Sequence, residues 1–222
     1  MYNNPLKFVD PTGMGPDGDI YNLNGMHIGN DGVVDNKVYL KRTTDDSQLS
    51  TSEAKQHTDI ANEAPCVSNT INLTETTGIT HEEFVQYAAN VYNETIGMNA
   101  NEKQKVASAM ENRLEDYNGS FKKMLDKLMF NSDNHYKKMT ELDRKPNNTT
   151  DYPPADKNDF SYGNVSTQNY RKFYNSSTVV RNNDYEMVGS VKATLIQLST
   201  HKDIINNKKH WSGDGIKHTF RK

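Results

Sequence analysis

The sequence predicts a mainly helical domain with long loops, preceded by a turn-rich, poorly ordered N-terminal segment. Three observations carry that prediction. Several stretches between Thr80 and Leu198 repeat apolar residues at helical spacing. Residues 1–79 show little such periodicity and are rich in Gly, Asn, Asp and Thr. The chain of 222 residues is only 33% hydrophobic with a mean hydropathy of −0.92, so its core is expected to be concentrated in one part. The expected organisation is turns and short strands over 1–35, a linker over 36–77 and a folded domain over 78–222.

The elements follow in chain order. Asn4–Gly13 (NPLKFVDPTG) packs turn formers around a short apolar patch, and Gly29–Leu40 reads as turn, short strand, turn, short strand. Residues 41–79, with TTDD, STSE and TETT, read as a loosely ordered segment. Thr80–Glu83 (THEE) then has the capping-box form, and Phe84, Val85, Ala88, Ala89, Val91 and Tyr92 follow at helical spacing until Gly97. Asn99–Glu102 opens a second helix with Val106, Ala107, Met110 and Leu114 on one stripe, closed by Asn118-Gly119. Ser120 begins a third, with Phe121, Met124, Leu125, Leu128 and Met129. Residues 131–182 read as long loops with short pieces of structure. A fourth helix opens at Asn183–Glu186, and His210–Phe220 reads as a shaped loop or short hairpin.

Composition excludes several classes. No apolar run approaches 18 residues, which argues against a membrane-spanning helix. The first 30 residues lack a signal-peptide pattern. One cysteine, Cys66, allows neither a disulfide framework nor a multi-cysteine zinc site. Residues 1–79 hold five basic against eleven acidic side chains, while residues 80–222 hold 21 against 18. A mildly basic second half suits an anionic polymer or an ordinary solvated surface. The basic run Lys122–Lys145 reads as a solvated face.

Glu94 is the first candidate for chemistry. It falls in the last turn of its helix, where the negative end of the macrodipole favours the protonated carboxyl, as does any burial against the neighbouring stripe. A general acid must hold a proton and deliver it. A solvent-exposed glutamate near a helix end is the plain alternative. His201, His210 and His218, with Asp203, Asp214, Asn206 and Asn207, offer a second constellation of the kind found in metal sites or nucleases. Plain surface residues explain it as well, because the strong helix precedes the histidines. Tyr152, Tyr162, Tyr170 and Tyr174 are suited either to lining a glycan groove or to covering a small core.

VYNET (Val91–Thr95) followed by KQKVASAMENR (Lys103–Arg113) resembles the spore-cortex-lytic cell-wall hydrolase family. The resemblance implies a lysozyme-like α+β fold and cleavage of peptidoglycan glycan strands. It implies Glu94 as the catalytic acid/base, and Tyr92, Asn112 and Arg113 as supports on the substrate side. DFSY (Asp159–Tyr162) resembles the family's later cleft-lining motif and adds Ser161 and Tyr162. The sequence departs from the family in having no acidic residue soon after Gly97. Thr194–Gly215 looks like the end of hydrolase toxins in which a helix leads to a W-x-G loop, implying that Trp211 stacks on a sugar face or else plugs the core. NPLKFVDPTG is very similar to the end of the Rhs (YD-repeat) core, where a secreted shell gives way to a C-terminal toxin. That implies an antibacterial effector delivered by a type VI secretion machine, acting in the target's periplasm and partnered by a cognate immunity protein and the Rhs shell.

A second acid is sought among Asp151, Asp156 and Asp159. A single-glutamate lytic transglycosylase needs none, and is favoured over a two-acid muramidase. No cofactor or metal is expected, and no nucleic acid or membrane partner. The rival readings are a nuclease toxin and a non-enzymatic surface-binding module.

Overall fold

A computed structural model of the chain describes residues 17–126, 128, 163–213 and 218–221. Strands β1 (Asp17–Asn22), β2 (His27–Val34), β3 (Val38–Lys41) and β4 (Thr70–Asn72) form one sheet in the order β2-β1-β3-β4. β1 pairs antiparallel with β2 and parallel with β3, and β3 pairs antiparallel with β4. Helices α1 (Thr51–Glu63) and α2 (Leu73–Thr77) flank β4. The helical body is α3 (His81–Thr95), α4 (Ala100–Asn112) with a 3-10 turn at Arg113–Tyr117, α5 (121–126), α6 (Gly163–Tyr174), α7 (Thr178–Asn183) and α8 (Tyr185–Thr200). The tail ends in the antiparallel pair β5 (His210–Gly213) and β6 (His218–Arg221).

This arrangement corrects the mainly α, lysozyme-like expectation. The chain is α+β, and residues 17–77 are not a poorly ordered preface. Residues 36–77, expected as a linker, contain β3, α1, β4 and α2. The sheet is a middle layer, and its alternation shows why. Tyr21, Val38 and Leu40 turn toward the helical body and join its core, while Ile20, Ile28 and Tyr39 turn the other way onto Ala54 and Ala61 of α1. The long excursion expected over 131–182 holds α6 and most of α7, and residues 131–162 lie outside the described residues.

Two features join sheet to body. The turn after β1 is held by the Asn22 side chain, which accepts from the backbone N–H of Asn24 and Met26, both at 3.0 Å. It passes so close to α8 that a Cβ on Gly25 would lie 2.5 Å from the Val188 carbonyl oxygen, and Gly25 has φ +88. Only glycine meets both demands without strain. Beneath the sheet, buried Asp19 places one carboxylate oxygen 2.6 Å from His27 Nε2 and the other 3.1 Å from His81 Nε2. The Tyr21 hydroxyl lies 3.2 Å from the same His81 nitrogen. Burial, reinforced by the Asp19 charge, pushes that hydroxyl far above its ordinary value.

α3 is the central strut. The capping box expected at Thr80 and Glu83 forms, and ten of the helix's fifteen residues are buried against α8, α6 and α4. The Tyr87 hydroxyl donates to the Ala107 carbonyl at 2.6 Å and crosses to α4 without leaving a buried donor unmet.

Candidate active site

The C-terminal turn of α3 emerges from the core carrying Asn93, Glu94 and Thr95, and the chain leaves it through Ile96 and Gly97 at φ 76. Glu94 is half-buried, and the Asn93 amide donates to its Oε1 at 3.3 Å. The Arg113 guanidinium lies within electrostatic reach. Burial pulls Arg113 below its ordinary value, and the fields of Tyr117, Glu94 and Asp116 work in the opposite direction. The chain thus brings together a carboxylate and a half-buried cation from two ends of the resemblance motif.

The other predicted residues divide. Tyr92 is 1% exposed and belongs to the core: its ring packs on Phe173 and its hydroxyl accepts from Lys172 Nζ at 3.3 Å. Asn112 faces the C-terminal loop, donating to Asp203 Oδ1 at 3.2 Å and to the Lys208 carbonyl at 3.1 Å. It therefore sets the path of the chain into β5, where Trp211 pairs in register with Phe220. Ser161 and Tyr162 lie outside the described residues, as do Tyr152, Asp151, Asp156 and Asp159. Tyr170 and Tyr174 stack on each other at 5.8 Å, with Tyr170 buried in the main core. His201 caps α8 and pairs with Glu111 at 2.6 Å. Among the described residues no group of three or more His, Cys, Asp or Glu side chains is arranged to hold a metal ion.

The loop from Asp203 to Lys209 is built around one carboxylate. Asp203 is partly desolvated, which raises its pKa. That effect is outweighed by the backbone N–H groups of Ile205 and Asn207 and by the Asn112 and Ser108 side chains, which hold it below the ordinary aspartate range. Between this loop, α4 and the terminal hairpin lies a cavity of about 380 Å³ lined by Lys105, Ile204, Ile205, Asn206, Lys208, Thr219 and Phe220.

Sequence reasoning missed two residues at the end of α3. Lys103 Nζ donates to the Thr95 carbonyl at 3.0 Å, to Thr95 Oγ1 at 3.3 Å and to Glu186 Oε2 at 2.6 Å. Both charged side chains are buried, at 4% and 9% exposure. Lys103 sits inside the resemblance motif, but a lysine on a helix ordinarily reads as solvated. Its partner is 83 residues away, so no local signal marks it.

Comparison of the chain with protein-family models, with curated proteins and with solved structures finds no match.

Proposed function

We propose that this chain is an antibacterial effector toxin that cleaves the glycan strands of peptidoglycan, with Glu94 as its acid/base. The observation that carries the reading is the placement of Glu94: half-buried in the final turn of a packed helix, where burial and the negative helix end favour the protonated form, with the Asn93 amide and the Arg113 cation placed to hold the carboxylate left once the proton is given up. The VYNET and ENR motifs supply the substrate class. In the proposed reaction Glu94 donates its proton to the glycosidic oxygen, and the C1–O bond breaks with its electron pair going to that oxygen. The Glu94 carboxylate then takes a proton from the C6 hydroxyl of the same sugar as that oxygen closes on C1, leaving an anhydro end. Water in place of that hydroxyl would leave a reducing end. The intramolecular route is favoured because it needs no second acid.

The Rhs-like N-terminus supports delivery from an Rhs shell by a type VI machine, action in the periplasm of a target bacterium, and neutralisation by a cognate immunity protein that covers Glu94. The test is Glu94→Gln in the full chain. Wall solubilisation should fall about 10²- to 10⁴-fold, the range general acid catalysis contributes. Mass spectrometry of wild-type digests should show anhydro-sugar ends. Undiminished solubilisation by Glu94→Gln would overturn the reading.

A further inference from the structure

We infer that Lys103, locked by Glu186, is a positioning residue that fixes the terminal turn of α3 and so aims the Glu94 carboxylate. The inference rests on the reading of Glu94 as the acid. Three elements converge to build the device. α4 supplies Lys103, α8 supplies Glu186, and α3 supplies the Thr95 carbonyl and hydroxyl next to Glu94. All three ammonium protons have an acceptor, so the cation is fully used. The last carbonyls of a helix lack intrahelical donors, and here the Thr95 carbonyl, which accepts the Met98 N–H at 2.9 Å, also receives a buried cation.

Room for the device is made by a glycine. Gly189 lies mid-helix in α8, where glycine costs about 1 kcal/mol relative to alanine. A Cβ there would stand 3.3 Å from both Cδ and Cε of Lys103, tighter than ordinary contact. The lysine stem passes over α8 at that notch and is fixed at its far end by Glu186 and Thr95. A buried ion pair often adds little stability over apolar side chains of the same volume. Stability alone is therefore a weak reason for this one.

The charged groups along this end of α3 come from each packed element. Lys103 and Arg113 approach from α4 and its 3-10 turn, and Glu186, bonded to the Tyr185 hydroxyl, from α8. Lys172 of α6 and Asp184 lie one turn back at Tyr92. Lys103 and Glu186 cancel each other, so removing either leaves a net charge one residue from the acid.

The test measures wall-solubilisation kinetics against pH, with thermal unfolding in parallel, for Gly189→Ala, Glu186→Gln, Lys103→Met and the Lys103→Met/Glu186→Gln double variant, beside Glu94→Gln. Gly189→Ala improves helix propensity while crowding the lysine. It should fold at least as well as the parent yet lose about three- to ten-fold in kcat at unchanged KM, as small misplacements of reacting groups do. Glu186→Gln should move the basic limb of the profile about half a pH unit down, Lys103→Met should move it up, and the double variant should restore it. Should Lys103→Met fail to fold, Gly189→Ala and Glu186→Gln decide alone. Parental kcat and an unmoved limb in those variants, with Glu94→Gln inactive, would overturn the positioning role and leave the acid standing. An active Glu94→Gln would overturn both.

Discussion

Helices α1 and α3 begin alike and end in different surroundings. Each opens with a complete capping box, Ser50 with Glu53 and Thr80 with Glu83. α1 then buries three small side chains, Ala54, Thr58 and Ala61, while α3 buries ten, including Phe84, Tyr87 and Tyr92. α1 lies flat on the sheet, where a Cβ on Gly29 would stand 3.5 Å from that of Ala54. α3 is enclosed by other helices. A cap is a local device that works the same anywhere. What differs is how a helix is held: by the volume it buries, or by how closely small side chains let it approach.

The strongest way to test that contrast is to change volume in opposite directions. Phe84→Ala should destabilise the chain by about 3–5 kcal/mol through lost burial and a residual cavity. Ala54→Leu should cost about 1–3 kcal/mol by forcing α1 off the sheet. Equilibrium denaturation in urea measures both. A neutral or stabilising Ala54→Leu would mean that α1 is loosely seated, and the contrast would fail.

The same contrast explains what the sequence could tell. α3, α4 and α8 were legible because large apolar residues recur on one face after a cap, and Thr80, Asn99 and the NDYE segment lie where those helices start. α1 was not, because alanine and threonine at positions 54, 58 and 61 leave no apolar period and STSE reads as a polar tract. β3 was legible as the second of two turn-separated short strands; β2 was legible only at its Val33–Val34 end, because Gly29–Gly32 reads as a turn and is strand, and β1 was hidden in glycine- and aspartate-rich sequence. β4 was not legible, since its pairing with β3 is long-range and its three residues carry no pattern of their own. At the site, the placement of Glu94 in a last helical turn followed from spacing. The burial of Lys103 did not, because it depends on Glu186 and the notch at Gly189, both supplied by a distant helix. Tyr92 shows the reverse error: its motif pointed to substrate, and its apolar spacing pointed to core, where it lies.

The caps sharpen the comparison at a smaller scale. Ser50→Ala and Thr80→Ala should each cost about 1 kcal/mol, the ordinary worth of an N-cap hydroxyl. Their consequences should differ. In α1, where Ala54 is the one buried side chain of residues 51–56, hydrogen exchange should show local opening confined to those residues. In α3 the loss should appear only as a lower global stability. Local opening at α3 under Thr80→Ala would show that packing does not enforce that end.

The loop from Asp203 to Lys209 carries the comparison to a segment anchored in the core by Ile205 and otherwise held by polar bonds, and gives the smallest effect. Its polar bonds centre on Asp203, which accepts from the Ile205 N–H at 2.9 Å, from the Asn207 N–H, and from Asn112 and Ser108 at 3.2 and 3.4 Å. Because those donors depress the folded-state pKa against its desolvation, the group contributes stability above its unfolded value, about 3.9, and loses it as pH falls through the folded one. The carboxylate is largely exposed, so solvent screens the contribution. Amide exchange in residues 204–208 should therefore accelerate, relative to its intrinsic rate, as pH drops below about 4, with α3 and α8 unaffected over the same range. Asp203→Asn should remove that pH dependence, because the amide does not titrate; its oxygen can keep the bonds from Ile205, Asn112 and Ser108 made at Oδ1, and only the Asn207 N–H bond to Oδ2 is lost. Dependence that persists in Asp203→Asn would place the acid-sensitive group elsewhere.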